Sequence, residues 1–188
     1  MNSIPVQAYT LSCALGVGMA DIQHAINSGI TGLSDRSWPE CDVPTWFGRV
    51  DAIDQESSPL APEWESRNNR LAELGLRQDG FAEQAQAAID RYGADRCAVI
   101  IGTSTSSIGR TESGFHTLDD NDRFAQEYRQ PEIHNPHSPT AYVAATLGYR
   151  GPAATVSTAC SSSAKVFASA ARWLACDVAD AIVVGGVA

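Results

Sequence analysis

Cys160 is the residue whose surroundings point most directly to chemistry. It lies in Val156-Ser157-Thr158-Ala159-Cys160-Ser161-Ser162-Ser163, after an apolar run, Ala153 to Val156, that reads as a short buried strand. Small residues then take the chain through a sharp turn. A helix is expected to begin at or beside Cys160 and to continue to about Ala175. A cysteine at such a helix start faces unpaired backbone N–H groups and the positive end of the helix dipole. Both favour the thiolate, which is the nucleophilic form. A small buried structural cysteine is the competing reading. The strand–cysteine–helix order favours a nucleophile pushed into a pocket mouth.

Other chemistry-bearing residues carry weaker signals. Cys13, Cys41, Cys97, Cys160 and Cys176 are an odd, scattered set without a Cys-x-x-Cys pair. Neither a zinc site nor a disulfide framework is indicated, and reduced thiols fit a cytoplasm. His134 and His137 flank Pro136 with no cysteine or carboxylate arranged around them, so no metal site is expected. Asp119, Asp120 and Asp122 lack the glycine and terminal glutamate of a calcium loop and read as a solvated acidic loop. Gly16-Val17-Gly18 lacks the third glycine of a dinucleotide fingerprint. The Ser161–Ser163 run lacks the Gly-x-Ser-x-Gly frame of a serine hydrolase. Lys165, the one lysine, stands about 140° around the helix from Cys160, too far for direct contact with the thiolate.

The elements that must hold Cys160 read as α/β. A strand is expected over Val6–Ala14 and a helix over Met19–Ser28, with Ile22, Ala25 and Ile26 buried and Gly29 ending it. From Gly32 to Ser66 the prolines and the aromatics Trp38, Trp46, Phe47 and Trp64 suggest a long loop pinned to the core by its rings. Arg67–Tyr92 is helical, interrupted at Gly80 and ended by Gly93. Arg67 and Arg70 share one face there, an ordinary solvated face being the simplest reading. Cys97–Gly102 is a continuous apolar strand of the kind buried on both sides of a parallel sheet. The turn Thr103–Ser107 follows it and is expected to share a pocket rim with the Cys160 turn. Arg110–His137 reads as polar and irregular. Ser138 is the expected N-cap of a helix running to Leu147, and Asp180–Val187 is a last buried strand. In the Cys160 helix, Ala164, Phe167, Ala171 and Leu174 share a face, and the alanines elsewhere suggest burial on most sides.

The 188 residues suit a single domain, and no stretch is apolar enough to span a bilayer. A net charge of −9 argues against a nucleic-acid surface. With twelve arginines to one lysine, any basic patch must be built of arginine.

Three pieces in order, Arg150-Gly151-Pro152, Ser157 to Ser163 with its Thr-Ala-Cys-Ser-Ser core, and Ala181-Ile182-Val183-Val184-Gly185-Gly186-Val187, resemble the active-site region of β-ketoacyl-ACP synthases. Leu11–Gly18 and the Gly102 region fit the same pattern. The resemblance implies a thiolase-like fold, with residues 1–188 as the amino-terminal half of its layered αβαβα architecture and the carboxy-terminal half outside the chain. It implies decarboxylative Claisen condensation of an acyl thioester with malonyl-ACP, in fatty acid or polyketide synthesis, with Cys160 carrying the acyl group. The family's catalytic histidines lie in motifs resembling His-Gly-Thr-Gly-Thr and Asn-Phe-Gly-Phe-Gly-Gly-Thr-Asn. Neither occurs here, so His24, His116, His134 and His137 receive no catalytic role, and these residues alone are not expected to condense. By the same resemblance, Arg67 and Arg70 are docking candidates for an acidic acyl carrier protein, and Thr105 lines the acyl channel. The strand before Cys160 is expected at a homodimer or heterodimer interface. No cofactor is implied. A non-catalytic partner subunit of the chain-length-factor kind is the alternative, and Cys160 argues against it because such partners usually lack the cysteine.

Overall fold

The computed structural model describes residues 3–35, 43–54 and 58–188; Trp38, Pro39 and Cys41 lie outside them. The expected first strand, Val6–Ala14, does not form. Only Ser12–Cys13 (β1) is a strand, and it pairs antiparallel with Gly16–Val17 (β2). The chain turns back at once, so the hydrogen bonds of β1 go to a local hairpin rather than to the main sheet. Val6, Tyr9 and Leu11 remain exposed.

Met19–Asn27 (α1) buries Ile22 and Ala25, but Ile26 is exposed, contrary to expectation. The α1 ladder ends in a paired cap, Gly29 N–H to Ile26 O and Ile30 N–H to Ala25 O. Leu33–Ser34 (β3) and Phe47–Gly48 (β4) form a second small antiparallel pair. Of the loop aromatics, Trp64 anchors, with its ring 5.7 Å from that of Tyr142, whereas Trp46 is exposed.

Arg67–Leu76 (α2) and Phe81–Tyr92 (α3) replace one long helix, with the break at Gly80 as expected. Ser66 Oγ caps α2 by accepting from Asn69 N–H. The buried row of α2 includes two polar residues, Asn69 and Glu73. Asn69 Nδ2 donates to Trp64 O and Ser138 Oγ, although its Oδ1 is buried without a hydrogen-bond partner, and Tyr142 O–H donates to Glu73 at 2.6 Å.

Cys97–Gly102 (β5) is buried along its whole length. Arg110–His137 is more ordered than expected. Ile108–His116 (α4) and the short Pro131–His134 (α5) lie there despite weak apolar patterning. Asp119 accepts from the Arg123 and Asn121 N–H groups, which hold its carboxyl below the usual carboxylate range. Ser138–Leu147 (α6) follows, with His137 rather than Ser138 in the cap position.

Ala153–Val156 (β6), Ser162–Ala175 (α7) and Ala181–Gly186 (β7) complete the chain. The main sheet is parallel, in the order β6-β5-β7. Side chains alternate across β5. Cys97, Val99 and Ile101 face Ala72, Leu76, Ala85, Tyr142 and Val143 of α2, α3 and α6. Ile100 faces Val166 and Ala170 of α7 on the other side. Helices therefore cover both faces, as an α/β layered domain requires. Arg96, bonded to Asp177 and Asp180, ties the loop between α7 and β7 to the start of β5.

Two tyrosines report on this packing. Tyr149 O–H donates to Ala85 O, and burial pushes its phenol up to about 12; burial and then Glu73 push Tyr142 up further. A folded-state pKa raised above the unfolded value of about 10 gives stability that is complete below pH 10 and lost as pH rises through about 12. The melting temperature is therefore expected to fall steeply between those values. Absorbance titration of the native protein should show two of the five tyrosines ionising late. Five coincident titrations near pH 10 in a protein still folded would contradict this packing.

Candidate functional site

The carboxyl ends of β5, β6 and β7 meet at one edge of the sheet. Gly102 is in register with Val156 on one side and Gly186 on the other. Thr103 N–H donates to Val156 O, and Val187 N–H donates to Gly102 O. The turns after β5 and β6 thus lie side by side.

The turn after β6 carries Cys160. Ala159 adopts φ +53°, a left-handed conformation that costs a residue with a Cβ about 1 kcal/mol or more. That conformation delays the helix: α7 starts at Ser162, two residues past Cys160. The turn is closed by serine side chains. Ser162 Oγ accepts from Thr158 N–H at 2.8 Å and donates to Ala159 O at 2.7 Å. Ser161 Oγ donates to Thr158 O at 2.9 Å. Ser162 is buried, and Cys160 between these braces is exposed.

Two glycines seat this turn on the sheet. A Cβ on Gly102 would lie 2.6 Å from the Ser162 carbonyl carbon and 2.7 Å from Ser163 N. A Cβ on Gly186 would fall on the Ser163 hydroxyl and 2.6 Å from Ser163 Cβ. The first turn of α7 therefore rests directly on strand backbone.

The buried face of α7 differs from the expected one. Ser162, Val166 and Ala170 point at the sheet, whereas Ala164 and Phe167 are exposed, so the helix packs on one side rather than on most.

Thr105 is exposed in the neighbouring turn, where Ser106, at φ +47°, donates its N–H to Thr103 Oγ1. Arg67 and Arg70 begin α2, and Asn68 Nδ2 donates to Val187 O, so they lie at the same end of the sheet as Cys160. Both engage carboxylates of their own chain. Arg67 pairs with Asp54, and Arg70 binds Glu65 at 2.6 Å and Ile53 O at 3.0 Å. Burial, then Arg49 and Arg70, lower the Arg67 pKa, so three guanidiniums share this corner.

His134 donates from Nε2 to Tyr128 O, which can only accept, leaving Nδ1 for the Thr111 hydroxyl. His137 Nδ1 meets Thr155 Oγ1, which also meets Thr140 Oγ1 at 2.6 Å. Among the described residues, no group of three or more His, Cys, Asp or Glu could hold a metal ion, and no helix is long and apolar enough to cross a membrane. Concavities of about 320 and 590 Å³ open elsewhere, beside Arg70–Arg77 and beside Phe124–Pro136; Cys160 lines neither. Sequence reasoning missed Ser162 as a brace. The available signal was a hydroxyl four residues after Thr158, inside a run of three serines.

The beta-ketoacyl synthase N-terminal domain model matches residues 48–188. A chain in the structure of a ketosynthase (ApeO) in complex with its chain length factor (ApeC) from Xenorhabdus doucetiae is similar at 29% identity and TM-score 0.79. That likeness covers 100% of this chain and 49% of that one. A chain of the ishigamide ketosynthase/chain length factor shares the fold at 15% identity and TM-score 0.71, over 95% of this chain and 50% of that one. The chain thus spans about half the length of the solved chains it matches. A comparison with curated proteins found no match. With the family model matching most of its length, over the turn and all three strands of the main sheet, this chain belongs to the β-ketoacyl synthase family and carries its amino-terminal, thiolase-like domain.

Proposed function

We propose that Cys160 is the acyl-accepting nucleophile of a condensing acyltransferase. The observation that carries this reading is an exposed cysteine on a strained, serine-braced turn at the carboxyl edge of a parallel sheet. In the proposed reaction the Cys160 sulfur attacks an acyl thioester delivered by an acyl carrier protein. The oxyanion that forms is met by the Cys160 backbone N–H. The acyl group is then extended by decarboxylative condensation with malonyl-ACP in the reducing cytoplasm, in fatty acid or polyketide synthesis, with Thr105 on the rim of the acyl channel. The test is incubation with acyl carrier thioester, followed by intact mass and peptide mapping. An acyl adduct on Cys160 supports the nucleophile. No adduct on a folded protein favours the non-catalytic chain-length-factor role.

The partner proposed is a second ketosynthase-like subunit, identical or not, paired through β6. That strand is an edge of the main sheet, and an apolar edge needs a partner or a cover.

Arg67 and Arg70 are proposed to meet the acidic carrier protein from the same end of the sheet. They are not equivalent. The Arg67 side chain is 48% exposed, against 19% for Arg70, which also holds Glu65 and Ile53 O. Arg67→Glu is expected to weaken carrier binding about tenfold at low salt and less at high salt, because exposed charges act mainly on encounter and are screened. Arg70→Glu is expected to lower the melting temperature as well. Titration at two ionic strengths decides; salt-independent binding by Arg67→Glu equal to that of the unmodified protein would remove this corner from the interface.

A further inference from the structure

We infer that Ser162 is a positioning residue for acyl transfer, its hydroxyl setting the direction in which the Cys160 N–H points. The inference rests on the acyl-transfer reading of Cys160. The Ala159–Cys160 peptide group is planar and trans, so its C=O and N–H point in opposite directions. Whatever holds the Ala159 carbonyl therefore aims the Cys160 N–H. Ser162 holds that carbonyl twice, through Oγ–H at 2.7 Å and backbone N–H at 3.1 Å. The same Oγ accepts from Thr158 N–H at 2.8 Å, so the hydroxyl bonds both sides of the turn and has one orientation that serves both. The carbonyl faces the start of α7, and the Cys160 N–H faces away from it.

Two features make the brace necessary. Ala159 at φ +53° is strained, so the peptide after it needs restraint. Ser162 itself is fixed, with 2% exposure and its carbonyl carbon packed on Gly102.

The chemistry separates positioning from general stability. In acyl transfer the Cys160 sulfur bonds to the thioester carbonyl carbon. The bond from that carbon to the carrier sulfur breaks, and the departing thiol ends with the proton that Cys160 lost. The carbonyl oxygen carries negative charge midway and needs the N–H donor. Alkylation of the same sulfur by iodoacetamide displaces iodide at a saturated carbon and builds no such oxyanion. A misdirected N–H therefore slows acylation and leaves alkylation nearly intact.

The experiment compares unmodified protein, Ser162→Ala and Ser162→Thr in the complete protein, with an acyl carrier thioester and with iodoacetamide, each followed by intact mass. Ser162→Ala is expected to lower acylation at Cys160 by about ten- to a hundredfold, less than the roughly hundred- to thousandfold for outright loss of an oxyanion donor because the N–H is misdirected rather than removed, and alkylation less than about threefold. Ser162→Thr, which keeps the hydroxyl, should return acylation to within about threefold. In the unmodified protein the Thr158 amide should exchange slowly with solvent deuterium, and this reading stands even where Ser162→Ala does not fold. Equal acylation by Ser162→Ala, parallel losses in both reactions, or fast exchange at Thr158 would each overturn the inference. No acylation of the unmodified protein would instead remove the acyl-transfer reading beneath it.

Discussion

Cys160→Ala is expected to abolish acyl loading from a carrier thioester, by at least about a thousandfold, while leaving the melting temperature almost unchanged. The first half follows from the absence of a substitute among the described residues. Cys97 is fully buried, and that burial pushes its thiol up, away from the reactive form. Cys13 is half-buried in the β1–β2 hairpin. Cys176 is exposed but follows the far end of α7, about 20 Å from its start at 1.5 Å per residue. Removing a nucleophile removes the covalent step itself, so the loss is far larger than for a supporting group. The second half follows from exposure, since a substitution at an exposed side chain typically shifts stability by about 0.5 kcal/mol or less. In the unmodified protein, mild alkylation at neutral pH should label Cys160 before Cys13, Cys97 and Cys176. Undiminished loading of the variant, or slowest labelling of Cys160 in a folded protein, would sink the assignment.

The sequence made the strands of the sheet legible for a physical reason. Cys97–Gly102, Ala153–Val156 and the Ala181–Gly186 run are short, continuous and apolar, and each ends in glycine or small polar residues. Only Cys97–Gly102, the central strand, is buried along its length between helices on both faces; Ala153–Val156 and Ala181–Gly186, at the two edges, are partly exposed, contrary to the expectation that they are buried. Helix ends at Gly93 and Gly148 were legible through their chemistry in the same way. What failed was orientation and pairing. In α7 alanines lie on every side, so periodicity could not choose a face; the sheet chose Ser162, Val166 and Ala170, and left Phe167 out. Val6–Leu11 is apolar enough for a strand, but strand existence depends on a pairing partner that no local pattern reveals. α4 contains Gly109 and Gly114, so its local propensity is poor, and tertiary contacts such as Gly114 against Phe124 and Tyr128 override it. At the candidate site, the strand–turn–helix order around Cys160 was legible from its flanks, while the brace was not. Three consecutive serines look alike in sequence, and only the turn at Ala159 distinguishes the one whose hydroxyl reaches both Thr158 and Ala159.

Gly102→Ala is expected to be among the most damaging single-methyl additions in this domain, for stability and for chemistry together. The added Cβ would sit 2.6 Å from the Ser162 carbonyl carbon, 2.7 Å from its oxygen and 2.7 Å from Ser163 N. All three are backbone atoms of α7, so no side-chain rotation relieves the contact. β5 cannot retreat, because it is the central strand with partners on both sides. The first turn of α7 must lift by most of an ångström, and overpacking of this kind costs about 1–3 kcal/mol, occasionally more. Lifting that turn also moves the Ser162 hydroxyl, and with it the grip on Ala159 and the setting of Cys160. Acyl loading is therefore expected to fall at least about tenfold in whatever fraction remains folded, in line with the loss of a positioned donor. Gly185→Ala is the matched control, one position before Gly186 on β7. Its Cβ would meet only Ile101 Cδ1, at 3.6 Å, an ordinary contact with the end of a side chain. Thermal melting and acyl loading measured on both variants separate a local clash from a general intolerance of methyl groups in the sheet. Gly102→Ala that melts and loads like the unmodified protein would show that the first turn of α7 does not rest on β5 as described. Equal damage in Gly185→Ala would show that the sheet, rather than the seat of the Cys160 turn, is what the methyl disturbs.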